Sequence, residues 1–371
     1  MKTLAVGETL EAEHGVICAM PNDHYGYFGW PSVGLLEDGT LLAGASGMRT
    51  EHVGPYGRST IFKSEDGGRT WSGPRVVNDT PLDDRDVGVT PLGSQKVLVS
   101  WFSSDHRGRL EDSDDQELAE RWRAGLAWIT DANSERFVGS WVRRSDDGGD
   151  TWEAPVRVPV TTPHGPVRLA SGDLVYLGKV FGQTMEDLYA GEHGIRTYKS
   201  CDDGDSWTPL GKVPLPEGTQ VSDYHEPHCA ELPSGKLLGM IRFHGGEQIG
   251  LDNSRILMQT ESTDGGETWS EATPLPFHAV PPHVLCHSSG RIVVSYGYRQ
   301  KPFGQRVAIS DDAGQTWRYD YVLRDDGPTG DLGYPCSVEM PDGSVFTVYY
   351  QKPSQPEDKC ALLWSRWDMP S

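Results

Sequence analysis

Basic residues are scarce in this chain. Its 371 residues include 33 Lys and Arg against 54 Asp and Glu, which gives a formal net charge of −21 with histidine neutral. Proteins that bind nucleic acid or an anionic membrane surface need Lys and Arg to neutralise phosphate groups. The charge balance therefore argues against both kinds of partner, and we expect neither nucleic acid nor membrane to bind.

Long apolar segments are also lacking. No apolar run approaches the 18 residues of a membrane-spanning helix, and the segment Met1–Glu8 lacks the apolar stretch of a secretory signal. The six cysteines form no Cys-x-x-Cys pair and have no regular spacing, which is typical of buried free thiols in a cytosolic protein. We therefore expect a cytoplasmic protein, or a secreted one if a leader has been removed, with no cofactor and no bound metal.

Glycine, proline and tryptophan, by contrast, are abundant, with 44, 26 and 12 copies. This composition favours many short strands and tight turns over a helical bundle. One eight-residue pattern, Ser-x-Asp-x-Gly-x-Thr/Ser-Trp, recurs five times after strand-like runs. Its aspartate can accept hydrogen bonds from backbone N–H groups two residues on and its glycine allows a positive φ, so each copy predicts a hairpin turn. The copies are Ser64–Trp71, Ser145–Trp152, Ser200–Trp207, Ser262–Trp269 and Ser310–Trp317.

A second repeat lies between these copies. Two apolar runs flank a turn that contains a glycine, and the turn glycines are Gly39, Gly93, Gly172, Gly235, Gly290 and Gly343. Six such four-stranded units predict an all-β fold, a six-bladed β-propeller that forms one domain over residues 1–371. A strand near Gly15–Cys18 is expected to close the ring, so that no sheet edge stays exposed. The longest gap between turn glycines contains residues 110–132, rich in Glu, Asp, Arg and Leu, which predicts a short helical insertion on a blade loop.

In a propeller the first strand of every blade lines the central channel, so a site forms where these strands begin. Nine residues before the turn glycines stand Trp30, Asp84, Pro163, Glu226, Pro281 and Tyr334, and Arg85, Asp86, His164 and His283 follow closely. These positions are equivalent by internal symmetry, yet nearly every blade has a different residue there. A structural position would repeat one residue type, so the variation favours a shared pocket.

The eight-residue pattern is the Asp-box, and the chain resembles the sialidase superfamily over nearly its whole length. In that family a tyrosine activated by a glutamate is the nucleophile, an aspartate is the acid/base and three arginines hold the substrate carboxylate. The segment around Glu226, followed by Arg242, resembles the family segment with the glutamate and the second arginine. The segment around Tyr334 resembles the one with the nucleophile, and Arg299 and Arg306 are alternatives for the third arginine. The Asp-box aspartates are expected to be structural.

Two departures from the family pattern concern one blade. Trp30 stands where the resemblance implies the first arginine, and the segment Met48–Val53 has no aspartate at the place of the acid/base. Glu51 and His52 are the candidates for that role, because a general acid needs a pKa near the operating pH and histidine has one. The histidine spacing matches no metal motif. The other residues predicted to bind substrate are Trp30, Arg49, Arg85, Asp86, His164, His225, His244, His283 and Tyr298, with Trp30, Tyr298 and Tyr349 as platforms for sugar rings.

Three functions stay open at this point. The favoured one is a glycoside hydrolase that removes a terminal acidic sugar with retention of configuration, through Tyr334 and Glu226. The alternatives are a polysaccharide lyase or a single-histidine glycosidase that uses His52 or His164, and a propeller that binds carbohydrate without catalysis. The Glu226–Tyr334 pair favours an enzyme, because binding alone does not need an activated phenol. Each function implies a carbohydrate partner, and the oligomeric state stays open.

Overall fold

The chain forms six β-sheets arranged as the blades of a propeller. The computed structural model describes residues 4–110, 116–180 and 194–370. The first strands of neighbouring blades contact one another around a central axis. Side chains at the start of these strands therefore converge on one mouth of a central channel. The prediction of an all-β, six-bladed propeller is confirmed.

Two short strands precede the first blade. β1 (Leu4–Val6) runs parallel to the outer strand of blade 5, and β2 (Ala12–Cys18) pairs antiparallel with the last strand of the chain in blade 6. Blade 6 thus combines strands from both ends of the sequence. This pairing closes the ring and covers an edge that would otherwise present unpaired backbone groups.

Blades 1 to 3 follow in chain order. Blade 1 contains β3 (Tyr27–Leu35), β4 (Leu41–Arg49), β5 (Arg58–Ser64) and β6 (Ser72–Asn78). Blade 2 contains β7 (Asp83–Gly93), β8 (Lys96–Ser104), β9 (Gly139–Ser145) and β10 (Val156–Val158). Blade 3 contains β11 (Val160–Thr161), β12 (Val167–Arg168), β13 (Leu174–Val180), β14 (Ile195–Ser200) and β15 (Thr208–Lys212). Because β11 and β12 both pair with β13, the inner strand of blade 3 is interrupted.

Blades 4 to 6 complete the ring. Blade 4 contains β16 (Tyr224–Glu231), β17 (Leu237–Phe243), β18 (Ile256–Ser262) and β19 (Thr273–Leu275). Blade 5 contains β20 (Val280–Cys286), β21 (Ile292–Tyr298), β22 (Phe303–Ser310) and β23 (Trp317–Gly327). Blade 6 contains β24 (Leu332–Glu339), β25 (Val345–Gln351) and β26 (Ala361–Trp367), together with β2. The inner and middle strands are buried on both faces, because each blade packs against the next.

The Asp-boxes connect the third and fourth strands of blades 1 to 5. In blade 4, Asp264 Oδ1 accepts hydrogen bonds from Ser262 Oγ at 2.8 Å and from Thr268 N at 2.9 Å, and Ser262 Oγ accepts one from Gly266 N at 2.9 Å. The other four copies repeat these contacts. The aspartate thus reaches the N–H four residues on, and not two residues on as expected, because its side chain spans the whole turn. Trp269 Nε1 donates to Thr197 Oγ1 at 2.7 Å, which ties this box to blade 3.

The helical insertion lies between β8 and β9. A 3-10 turn at Arg107–Leu110 leads toward α1 (Gln116–Leu126) and α2 (Asp131–Phe137). The sequence predicted one helical segment over 110–132, whereas the structure adds a second helix that ends at Phe137; residues 111–115 lie outside the described residues. Thr130 begins α2 by accepting a hydrogen bond from Asn133 N, which is a local cap signal.

The cysteines form no disulfides. All six are free; Cys229, Cys336 and Cys360 are buried, whereas Cys201 is exposed within the third Asp-box. The expectation of buried thiols therefore holds for only part of the set. No helix in the described part of the chain has the length and apolarity of a membrane span.

Candidate active site

The first strands of four blades carry a residue in the left-handed backbone region at the same place. These residues are Trp30 (φ 54°), Asp86 (φ 56°), Glu226 (φ 47°) and Tyr334 (φ 52°). Each one interrupts the pairing of its strand with the second strand, as a β-bulge does. Such a backbone conformation costs about 1–3 kcal/mol outside glycine and is concentrated at functional sites. The fold therefore accepts strain at one mouth of the channel.

Blade 2 requires a correction to the counting from turn glycines. Nine residues before Gly93 stands Asp84, but the bulge residue is Asp86. The turn of blade 2 is shorter than the others, since Gly93 pairs with Lys96 across two residues. Asp84 instead accepts hydrogen bonds from the backbone and hydroxyl of Thr80, at 2.8 and 2.9 Å. Asp84 thus holds the start of β7, whereas Asp86 lies at the channel mouth.

Tyr334, Glu226 and Arg242 form one hydrogen-bonded group, which we call the tyrosine group. The Tyr334 hydroxyl donates a short hydrogen bond to Glu226 Oε1, and Arg242 Nη1 pairs with Glu226 Oε2 and lies 3.3 Å from the Tyr334 hydroxyl. Burial opposes ionisation of Glu226, but the charge of Arg242 and the hydrogen bonds outweigh it and lower the pKa to about 2. Burial and the Glu226 carboxylate raise the pKa of Tyr334 well above its usual value. The phenol therefore keeps its proton at rest, and that proton already contacts a base.

Two further arginines lie beside the tyrosine group. The Arg299 guanidinium lies 5.8 Å from the centroid of the Tyr334 ring and donates to the Tyr350 hydroxyl at 3.2 Å. The pKa of Arg255 is lowered, first by burial and then by the positive charges of Arg242 and Arg299. Three guanidinium groups therefore share one region, and we call them the arginine cluster.

Trp30 is covered by neighbouring side chains. It is 1% exposed, and the guanidinium groups of Arg85 and Arg49 lie 4.1 and 4.9 Å from its ring centroid. Arg49 donates to Asp83 Oδ2 at 2.9 Å, and Arg85 Nη1 lies 3.8 Å from the same oxygen. Both arginines are thus held by a buried carboxylate. The structure leaves the Trp30 ring no open face for a sugar and gives it a packing role beside Tyr334, whose ring lies 6.4 Å away.

His52 lies at the rim of the same site and contacts a carboxylate. Its Nδ1 lies 2.8 Å from Asp331 Oδ1 and 2.8 Å from the Tyr27 hydroxyl, which donates to Asp331 at 3.0 Å. The His52 side chain is 43% exposed, and its ring lies 5.1 Å from that of Trp30. Burial opposes ionisation of Asp331, but hydrogen bonds from His52 and Tyr27 and the charge of His52 lower its pKa. This network occupies Nδ1 and leaves Nε2 of His52 for contact with a ligand.

Glu51, the other candidate for the acid, points toward the insertion. Its Oε1 accepts a hydrogen bond from Trp122 Nε1 of α1 at 2.9 Å, and its Oε2 lies 3.7 Å from Arg121. Of the two candidates, the structure therefore brings His52 near the tyrosine group and Glu51 away from it.

Asp86 is a carboxyl group with an unusual proton affinity. Burial raises its pKa to about 7. The positive charge of Arg85 lowers this pKa, and the negative charge of Glu226 raises it further. Within the described residues, its Oδ1 makes no hydrogen bond to the protein. Burial therefore favours the protonated form of Asp86 over the ionised form, next to the ionised Glu226.

Three histidines meet farther along the channel, where they line a cavity of about 360 Å³. His164 lies in the break between β11 and β12, and the ring centroids of His164, His228 and His283 are 4.4–5.6 Å apart. Nδ1 of His228 accepts a hydrogen bond from Val284 N at 3.0 Å, and Nδ1 of His283 accepts one from Ser337 N at 3.3 Å. Burial lowers the pKa of His164 to about 3 and those of the other two well below the usual value. The rings are therefore neutral and form a polar wall.

The remaining predicted residues divide into two sets. His225 and His244 lie beside the tyrosine group, since Arg242 Nε donates to His244 Nε2 at 2.7 Å and the two histidine rings are 5.0 Å apart. Arg306 instead donates to the carbonyl of Arg324 at 2.6 Å and lies 4.6 Å from the Tyr298 ring centroid. Of the alternatives for the third arginine, the structure places Arg299 next to Tyr334.

Sequence reasoning missed four residues of the site: Tyr27, Arg255, Asp331 and Tyr350. Tyr349, expected as a sugar platform, instead contacts Ser365 Oγ through its hydroxyl at 2.8 Å. Consecutive side chains of a strand point to opposite faces of the sheet. Tyr350, the next residue of β25, therefore points to the other face and contacts Arg299. Asp331 precedes β24 and Arg255 precedes β18, so both lie just outside the strand positions that the internal symmetry compares.

The site contains no metal-binding group in the residues that the structure describes, where no set of three or more His, Cys, Asp or Glu side chains has suitable geometry. What the arrangement can do is proton transfer and charge stabilisation. It combines a phenol on a carboxylate, a solvent-accessible imidazole on a carboxylate, and a cluster of guanidinium groups.

Comparison with known proteins identifies the family. The sequence pattern of the BNR repeat-like domain matches residues 126–347. An anhydrosialidase of Macrobdella decora is 25% identical over 237 residues, which cover 56% of this chain and 29% of that protein. A protein of unknown function from Dyadobacter fermentans has a similar structure, with a TM-score of 0.74 at 22% identity over 96% of this chain and 98% of the other. An intramolecular trans-sialidase of Ruminococcus gnavus has a TM-score of 0.63 at 17% identity, over 96% of this chain and 97% of the other.

These similarities differ in what they establish. The chain spans less than half the length of the curated relatives that it matches. The similar structures, at such low identity, establish the fold. The family pattern covers more than half of the chain and includes four of the five Asp-boxes in full. The protein therefore belongs to the BNR repeat-like domain family, within the sialidase-like superfamily of BNR-repeat proteins.

Proposed function

We propose that this protein is a retaining glycoside hydrolase that removes a terminal acidic sugar from a glycan. The observation that carries the proposal is the hydrogen bond from the Tyr334 hydroxyl to Glu226, beside Arg242. A phenol is a poor nucleophile at its usual pKa near 10, and a carboxylate in contact with its proton can activate it. Relatives named anhydrosialidase and trans-sialidase support a sugar as the substrate.

In the first step the Tyr334 oxygen forms a bond to the anomeric carbon while the bond from that carbon to the leaving oxygen breaks. The phenol proton passes to Glu226, and protonated His52 gives a proton from Nε2 to the leaving oxygen. Asp331 stabilises the imidazolium through Nδ1, at 2.8 Å, as a carboxylate does in a catalytic triad. The product of this step is a glycosyl-tyrosine and a free alcohol.

In the second step water attacks the anomeric carbon and breaks its bond to Tyr334. The water proton passes to His52, and Tyr334 recovers its proton from Glu226. Two displacements at one carbon retain the configuration of the sugar. His52 is 43% exposed, so it can exchange protons with solvent between turnovers.

The arginine cluster favours an anionic group on the substrate. β17 and β18 pair Phe243 with Ile256, so Arg255 lies across from His244, next to Arg242. The side chain of Arg255 makes no ion pair within the described residues, and its pKa is lowered by burial and the charges of Arg242 and Arg299. The guanidinium groups repel one another, and a bound carboxylate would relieve this repulsion. Such a local concentration of positive charge in a protein of net charge −21 therefore supports a carboxylate on the substrate. Uronic and sialic acids both carry such a group.

A release assay tests the proposal. Fluorogenic α- and β-glycosides, including sialosides and uronides, are incubated with the wild type, Tyr334→Phe and Glu226→Gln. We expect release of one acidic sugar by the wild type. We expect kcat to fall about 10³-fold or more in both variants, because Tyr334→Phe removes the nucleophilic hydroxyl and Glu226→Gln removes the carboxylate that takes its proton.

One result would contradict the proposed mechanism, and another would contradict hydrolysis itself. Release that survives Tyr334→Phe would exclude the tyrosine as nucleophile. No release from any glycoside by folded protein, with a rise in absorbance from an unsaturated product on acidic polysaccharides, would favour a lyase.

A further inference from the structure

A second cavity, of about 660 Å³, opens between blade 1 and α1 of the insertion. We call it the side cavity; the residues that matter here are Tyr25, Glu51, Tyr56, Arg58, Asp79 and Trp122. Its volume lies within the usual range for sites that bind small molecules. It is separate from the channel cavity that the three histidines line.

The wall of the side cavity is packed and hydrogen-bonded. Trp122 Nε1 donates to Glu51 Oε1 at 2.9 Å, and the Tyr56 hydroxyl donates a short hydrogen bond to the Gly125 carbonyl. Trp122 is also buried in an apolar cluster that contains Leu82. The insertion is thus fixed on blade 1, and the cavity is part of the folded architecture.

The side cavity adjoins the reacting centre through one short segment. Glu51, in its wall, immediately precedes His52, and Arg49 holds both carbonyl groups, at 3.3 Å for Glu51 and 3.4 Å for His52. His52 contacts Trp30, and Trp30 contacts Tyr334. The cavity therefore lies on the His52 side of the tyrosine group. In the proposed reaction this is the side from which the leaving oxygen receives its proton.

The lining suits a neutral sugar ring. Tyr25 and Tyr56 supply aromatic surface, and Tyr25 is 55% exposed. The cavity has as many carboxylates, from Glu51 and Asp79, as guanidinium groups, from Arg58 and Arg121. Balanced charge does not favour an anion, whereas paired donors and acceptors beside aromatic rings can bind hydroxyl groups.

We propose that the side cavity binds the sugar on the leaving-group side of the scissile bond, and that this sugar is uncharged. This inference rests on the proposed hydrolase. The substrate then bridges two environments: its acidic terminal ring lies at the arginine cluster, and its neutral second ring lies against Tyr25 and the insertion.

Substrates that differ only in the leaving group test this inference. One substrate is the glycosyl fluoride of the sugar that the wild type releases, and the other links the same sugar to a neutral hexose. Tyr25→Ala removes the exposed ring, whose main aromatic contact is the adjacent His24 at 4.7 Å. We expect kcat/KM on the hexose-linked substrate to fall about tenfold relative to the fluoride, which corresponds to about 1.4 kcal/mol.

Trp128→Ala is the matched control, because this aromatic side chain lies in the same insertion, is 81% exposed and is not part of the cavity wall. The ratio between the two substrates should stay at the wild-type value in this variant. An unchanged ratio in Tyr25→Ala would overturn the side-cavity proposal while the hydrolase stands. Failure of the wild type to hydrolyse either substrate would overturn both.

Discussion

At the residue scale, the site contains two buried acids whose pKa values are shifted in opposite directions, because their positively charged partners offset burial to different extents. Both Glu226 and Asp86 are bulge residues at the channel mouth, yet the pKa of Glu226 is about 2 and that of Asp86 is about 7. Arg242 pairs directly with Glu226, whereas Arg85 only partly offsets the burial of Asp86. The carboxylate of Glu226 is therefore ionised in contact with the Tyr334 hydroxyl, whereas Asp86 holds its proton more tightly.

His52 is tested through the leaving group. Replacement by glutamine, His52→Gln, removes the proton donor, so glycosides whose leaving alcohol has a high pKa should lose about 10²-fold or more in kcat/KM. The glycosyl fluoride, which needs no proton from His52 on a leaving alcohol, should lose far less. The measurement is kcat/KM across a series of leaving groups. Equal losses across the series would exclude His52 as the acid.

At the element scale, the Asp-box is a repeated turn whose contacts are all local. The hydrogen bonds that Asp264 accepts from Thr268 and Ser262 lower its pKa to about 2 at an exposed position. Because these contacts involve a turn at the outer part of the blade, they should affect stability and not the reaction.

Replacement of Asp264 by alanine should therefore lower the melting temperature by several degrees and leave kcat/KM within about twofold of the wild type, as for substitutions remote from a site. Thermal unfolding and the release assay measure the two effects. Glu217→Ala, at an exposed position outside the boxes, is the control and should change neither. A loss of activity in Asp264→Ala at an unchanged melting temperature would place the box in the site.

The same local character explains what the sequence could predict. Turn glycines and Asp-boxes act over a few residues, so they predicted the blade count, and internal symmetry then predicted that Trp30, Glu226 and Tyr334 are equivalent positions. The count from the turn glycine failed for Asp84 because blade 2 has a shorter turn, in which Gly93 pairs with Lys96 across two residues. Contacts between loops of different blades, such as that of His52 with Asp331, leave no periodic signal in the sequence.

At the scale of the whole molecule, the three channel histidines make folding sensitive to acid. Burial lowers the pKa of His164 to about 3, so the unfolded chain, where histidine titrates near 6.5, binds more protons at intermediate pH. The free energy of unfolding therefore rises with pH in this range and falls as the pH drops below about 6.5. Above that pH the stabilisation is complete.

Ser32 Oγ lies 2.9 Å from Nδ1 of His164. Replacement of His164 by asparagine, whose side chain can keep this hydrogen bond, should weaken the pH dependence. Between pH 7 and pH 5, the loss of unfolding free energy in His164→Asn should be smaller than in the wild type by about 2 kcal/mol. Urea unfolding at both pH values measures it. His24→Asn, at an exposed position, should behave as the wild type does, and an identical pH dependence in His164→Asn would contradict the assignment of a neutral buried ring.

The most direct test of the account is to identify the atom that the sugar bonds to. Once the released sugar is known, its glycosyl fluoride with a second fluorine next to the anomeric carbon is added, because that fluorine slows the second step. The protein is then digested and its peptides are analysed by mass spectrometry. The account predicts a single added sugar on the peptide with Tyr334, absent in Tyr334→Phe and in Glu226→Gln. A sugar on another residue, or turnover with no covalent adduct, would contradict it.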